Sequence, residues 1–138
     1  MSVRTTAEVI DRFNHAFVNR DAAALGDLVG ENCVMESVQP APRGERVEGR
    51  EACVAWWQAL VDDHTTQFTP VDVFVTGERA AISWEYRYGE GPADWVAGVN
   101  IMRVQDGVIV EALGYSKTAG EVPLATDAEA DAPAGATR

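Results

Sequence analysis

The chain is poor in basic residues: 11 lysines and arginines face 22 aspartates and glutamates, for a net charge of −11 over 138 residues. Such a charge argues against nucleic acid as a partner, because phosphates would repel it. It argues equally against anionic membrane surfaces and carries no information about fold. Cysteine is scarce: Cys33 and Cys53 are the only two, each inside an apolar run, which excludes a disulfide framework. There are two histidines, not spaced as a ligand pair, and no Cys-x-x-Cys, so no metal is expected. A glycine-rich phosphate loop and a serine elbow are both missing, and no cofactor is expected. No apolar run reaches the length of a membrane span. The opening MSVRTTAEVIDRF has no stretch suited to a signal peptide, so the expectation is a cytoplasmic protein.

What is present is ordinary for one globular domain: 46% apolar and 24% charged residues. Residues 6–19 fit an amphipathic helix capped by Thr6, with Val9, Ile10, Phe13, Ala16 and Phe17 on one face. Asp21 can cap a second short helix, AAALGDLV, and CVMES (33–37) reads as a strand. The polar stretch VQPAPRGERVEG reads as a loop. A third helix is predicted from Arg50 to about His64. The period then changes to two: hairpins are predicted to turn at Gly77-Glu78 and at Asp106-Gly107. Helices segregated to one face of an antiparallel sheet are the α+β solution for this order. Residues 1–118 are expected to form the domain. Residues 119–138, with four acids, one arginine and little to bury, are expected to be a disordered tail.

Within WVAGVNIMRV, Asn100 shares a face with Val96, Gly98, Met102 and Val104, while Trp95, Ala97, Val99 and Ile101 share the other. A carboxamide in an otherwise apolar strand must find partners or cost on the order of 1–3 kcal/mol.

The segments NRDAAALGDLVGENCVMES, VEGREACVAWW and NIMRVQDGVIVEALGY, in this order, resemble the nuclear-transport-factor-2-like superfamily, specifically its ketosteroid isomerase and SnoaL-like polyketide cyclase branches. The resemblance covers about residues 5–117. It implies a cystatin-like α+β roll: a cone in which three helices close over the concave face of a curved antiparallel sheet, with a deep apolar pocket. Counted from Asp21, the isomerase tyrosine falls on Phe13, its base on Ser37 and its oxyanion aspartate on Asn100. Phenylalanine has no proton to give and an unassisted serine is a poor base, so steroid isomerisation by that route is rejected. Only Asn100 keeps a donor, and the family position faces ligand; the alternative is that Asn100 bonds a neighbouring strand and orders the core.

Trp84, Tyr86 and Tyr88 share a strand face and suit a wall for a flat ligand, or the underside of the helices. Phe13, Phe17, Ser37, Trp57 and Met102 complete the expected lining. Acid–base candidates are His64, at the end of the third helix, Asp94 before its strand, and Glu36 beside Ser37. Each has a plainer role available: a helix-end histidine, a turn aspartate and an outward-facing glutamate. Two readings follow. The preferred one is an enzyme that isomerises, cyclises or dehydrates a small apolar, polyketide- or terpenoid-like substrate without metal, with Asn100 polarising a carbonyl. The other is a binding module without chemistry, the better account if none of Glu36, His64 and Asp94 reaches Asn100. The apolar outer face bearing Trp95, Val99 and Ile101 has no helix left to cover it, and a homodimer through the sheets is expected.

Overall fold

A computed structural model describes residues 3–117; the expected tail at 119–138 lies outside the described residues. Helix α1 (Thr6–Val18) is capped by Thr5, one residue earlier than expected. The Thr5 hydroxyl accepts from the Glu8 amide at 3.1 Å, and the Glu8 carboxylate accepts from the Thr5 amide at 2.8 Å, which satisfies two otherwise orphan donors. Thr6 instead donates to the Gly77 carbonyl at 2.7 Å and ties the helix start to a sheet turn. The predicted second helix is two 3₁₀ turns, Ala22–Ala24 and Gly26–Leu28, with no side-chain cap from Asp21. Leu25 separates the turns, and Gly26, with its low helix propensity, opens the second.

Strand β1 (Val29–Glu36) starts earlier than expected, and a short β2 (Arg46–Glu48) lies in the predicted loop. Helix α2 (Arg50–Asp62) buries Cys53, Trp57 and Val61 and stops before His64. Strands β3 (Gln67–Thr76), β4 (Arg79–Arg87), β5 (Trp95–Gln105) and β6 (Val108–Ser116) complete one six-stranded sheet in the order β2-β1-β6-β5-β4-β3. Both predicted hairpin turns are present, and Asp106 and Gly107 take φ of 53° and 78°. One pairing is parallel: β1 lies along β6, with Met35 opposite Ala112. The other pairings are antiparallel. Irregularities at Val29/Val34, Pro70/Asp72 and Arg103/Val104 sharpen the twist and curl the sheet.

The α+β architecture follows from two periods meeting on one face. Ala80, Ile82 and Trp84 of β4, Met102 and Val104 of β5, and Cys33 and Met35 of β1 point to the side covered by Ile10, Phe13 and Phe17 of α1 and Trp57 of α2. The opposite, convex face is uncovered in the single chain. Phe74, Tyr115 and Trp95 are 62%, 53% and 41% exposed.

Candidate functional site

The concave face grades from sealed to open along β5. Met102 and Val104 are buried at the closed end; Asn100, Gly98 and Val96 are half-buried toward the other. Asn100 stands between Ile82 of β4 and Gly114 of β6. The Trp84 indole N–H donates to Asn100 Oδ1 at 3.1 Å. Two glycines make room for this pair. A Cβ on Gly98 would collide with the Trp84 ring and the Tyr115 carbonyl. A Cβ on Gly114 would stand 3.0 Å from Val38 Cγ2 and 3.3 Å from Asn100 Oδ1. With one acceptor position of Oδ1 filled, the Asn100 amino group has two N–H donors that make no hydrogen bond among the described residues. The half-buried apolar side chains of Val38, Phe68, Tyr86 and Val96 pack on the core toward this open end.

The deep chamber expected beneath Asn100 is occupied by the protein's own rings. Phe13 and Phe17 lie 4.9 Å apart, Phe13 and Trp57 5.1 Å, Phe17 and Phe68 5.1 Å, and Phe68 and Trp84 6.0 Å, all between ring centroids. Tilted and edge-on contacts of this kind stabilise each pair beyond the area buried. Phe13, Phe17, Trp57 and Met102 are therefore core residues here, not walls of an open cavity.

Among the described residues none of the acid–base candidates hydrogen-bonds Asn100. The carboxylate of Glu36 faces away from Met35 and lies 3.4 Å from the Arg46 guanidinium at the sheet margin. The Asp94 carboxylate accepts from the Gly91 amide at 3.0 Å, and its carbonyl accepts from Tyr88 N at 3.0 Å, closing the β4–β5 loop. His64 is exposed in the turn after α2, in a surface depression of about 660 Å³ shared with Arg20 and Arg87. Ser37 is buried, but its hydroxyl donates to the Gln39 carbonyl at 2.6 Å and accepts from the Glu45 amide at 2.9 Å, so it staples a loop. Tyr86 is half-buried beside Phe68, while Tyr88 is exposed beyond the end of β4.

The two thiols are inert. Burial, more than any neighbour, pushes Cys33 up to about 12, and desolvation also raises Cys53, whose Sγ lies 3.6 Å from the carbonyls of Cys33 and Val47. Among the described residues no three of His, Cys, Asp and Glu gather into a possible metal site. Among them, too, no helix is long and apolar enough to cross a membrane.

Sequence reasoning found Asn100 but missed its partner. The signal was available: Gly98, isolated in a strand, marks a close approach, and Trp84 is its register partner on β4. Arg20 and Arg87 were also missed, since nothing in their spacing places them together.

The SnoaL-like domain description matches residues 10–112. A solved NTF2-like protein of unknown function from Mesorhizobium loti is 50% identical, with a TM-score of 0.78 over 82% of this chain and 91% of that one. An LEH-like epoxide hydrolase of M. tuberculosis is 16% identical, with a TM-score of 0.66 over 85% of this chain and 83% of that one. A protein of unknown function with a cystatin-like fold from Methylobium petroleophilum is 14% identical, with a TM-score of 0.68 over 91% and 85%. The last two likenesses show the fold alone. No functionally curated protein matches the chain.

Proposed function

The chain belongs to the SnoaL-like domain family, and we propose that it binds a small, largely apolar molecule through an acceptor oxygen at Asn100, without itself moving a proton. One observation carries this reading: Trp84 fixes Asn100 Oδ1, and both amino N–H donors of this half-buried side chain make no hydrogen bond among the described residues. A fixed donor in apolar surroundings favours a carbonyl or ether oxygen and disfavours an ammonium group, which has only donors to offer it. The partners of Glu36 and Asp94 and the exposure of His64 support binding over catalysis, since none of the three hydrogen-bonds Asn100 among the described residues.

The same donor supports a second reading, cyclisation, isomerisation or dehydration of a polyketide- or terpenoid-like substrate. A carboxamide already oriented by a neighbouring ring is what a developing enolate oxygen needs. The two readings separate with one pair of probes, 2-acetylnaphthalene and 2-ethylnaphthalene, titrated by NMR. The ketone is expected to bind about fivefold more tightly, near 1 kcal/mol, and Asn100→Leu to erase that difference in a folded protein. Equal binding of the two probes by the unaltered chain would end the Asn100 reading. Exchange of the ketone methyl protons in D₂O, faster than buffer alone, would favour the enzyme.

The convex face supports a homodimer. Trp95, Val99 and Ile101 line it beside the exposed Tyr115 and Phe74, an apolar surface broader than monomers commonly leave open. Ile101→Glu is expected to give a monomer in light scattering; a monomeric unaltered protein would refute the pairing.

A further inference from the structure

We infer that the depression at the rim, between the end of α1, the α2–β3 turn and the β4–β5 loop, binds an oxyanion, the carboxylate or phosphate end of a ligand. Its floor and walls include Arg20, His64, Thr65, Thr66, Arg87 and Glu90, around about 660 Å³. The chain is strongly acidic, and four of its arginines lie within ion-pair distance of carboxylates: Arg4 with Asp27, Arg46 with Glu36 and Glu48, Arg79 with Glu111, and Arg103 with Glu78. The two rim arginines do not, nor do Arg12, Arg43 and Arg50, but Arg20 and Arg87 alone among these five share one depression. Arg20 donates to the carbonyls of Val61 at 3.0 Å, Asp63 at 3.1 Å and Thr66. Arg87 donates from one terminal nitrogen to Gly89 at 3.3 Å and Gly91 at 2.9 Å.

Carbonyls fix a guanidinium without neutralising it, so two full positive charges stand at one depression in a chain of the opposite sign. The bonds also leave donors over. Nε of both arginines and the second terminal nitrogen of Arg87 make no protein hydrogen bond among the described residues.

The nearby acids are spoken for. Asp63 accepts from the Thr65 amide at 3.0 Å and the Thr65 hydroxyl at 2.5 Å, and Asp94 is held by Gly91. The Thr65 hydrogen bonds, and behind them the charges of Arg20 and His64, hold the Asp63 carboxyl below the usual aspartate range; the second contribution registers the positive field at this spot. Only Glu90 faces the depression as an uncommitted acid. A fork of guanidinium donors with two hydroxyls beside it suits carboxylate or phosphate oxygens, which accept two parallel bonds. The site is independent of Asn100.

The test is an amide-detected NMR titration of the full chain with sodium phosphate and, separately, sodium acetate, at constant ionic strength set with sodium chloride. Saturable shifts confined to residues 64–67 and 87–92 are expected with at least one of the two anions, and the anion that saturates identifies the headgroup. Arg87→Gln is expected to weaken binding roughly tenfold, and Glu90→Gln to tighten it about twofold. Shifts that stay linear with both anions and match chloride, or an Arg87→Gln variant that binds as the unaltered chain does, would overturn the site and leave the two arginines as loop staples.

Discussion

Trp84 and Asn100 sit on adjacent strands, and the indole N–H of the first donates to the carboxamide oxygen of the second at 3.1 Å. The bond fills one of the two acceptor positions of Oδ1 and leaves both amino N–H donors without a protein partner among the described residues. A polar residue in an apolar strand thus has its oxygen tied to the fold and its amino group without a partner among the described residues.

Trp84→Phe keeps a ring over Gly98 but removes the donor. The change is expected to cost about 1–3 kcal/mol by denaturant melting, through the unpaired Oδ1 and the lost volume. In a double-mutant cycle with Asn100→Leu the coupling is expected near 1 kcal/mol. Additive effects would mean that the two side chains do not depend on each other.

Gly98→Ala places a methyl group where the Trp84 ring and the Tyr115 carbonyl already are. Backbone cannot yield as a flexible side chain can, so a loss of about 1–3 kcal/mol is expected, with a changed tryptophan emission. Gly26→Ala, where an added Cβ meets nothing within 4 Å, is the control and is expected to be near neutral.

The start of α1 is held by reciprocal bonds between Thr5 and Glu8. Thr5→Ala is expected to destabilise the protein by about 1 kcal/mol. The Thr5 hydrogen bonds also hold the Glu8 carboxyl below its ordinary value of 4.5. Its contribution is therefore present above that value and fades as pH falls through the lower folded one. The Thr5→Ala variant should lose less stability on acidification than the unaltered chain; an identical acid limb would contradict the capping box.

At the alkaline end the sign reverses in pH. The Cys33 thiol ionises near 9.0 when unfolded and near about 12 when folded. Above the first value the unfolded chain has fewer protons bound, so stability is full below pH 9 and falls as pH rises toward 12. Cys33→Ala is expected to flatten that decline. Ellman's reagent at pH 8 should label neither thiol in the native protein and both in denaturant, because Cys33 and Cys53 are both fully buried. Rapid native labelling would show that the burial is incomplete.

Much of this arrangement is local and so was readable. Asp106-Gly107 announces its turn because two successive positive φ angles favour those residues, and alternation put Asn100 on the covered face of β5. What escaped depends on partners far along the chain. Strand β2 is three residues of Arg46-Val47-Glu48, with no pattern of its own, and exists because β1 offers it an edge. The β1–β6 pairing joins Met35 to Ala112 with no shared turn to fix its register. Helical spacing told which face Phe13 and Phe17 would occupy, and strand alternation did the same for Trp84. Whether those rings enclose a space or fill it depends on how α1 and α2 tilt, and a face pattern does not encode tilt.

The parallel seam between β1 and β6 also sets an order of events at the ribosome. Residues 29–36 emerge early, yet the neighbour that closes one side of them ends at residue 116. Until nearly the whole domain has been translated, that flank of β1 has exposed amides and carbonyls and no native mate. Loop closure across so long an interval makes this the late step of folding, and the half-made chain is when chaperones would have most to grip.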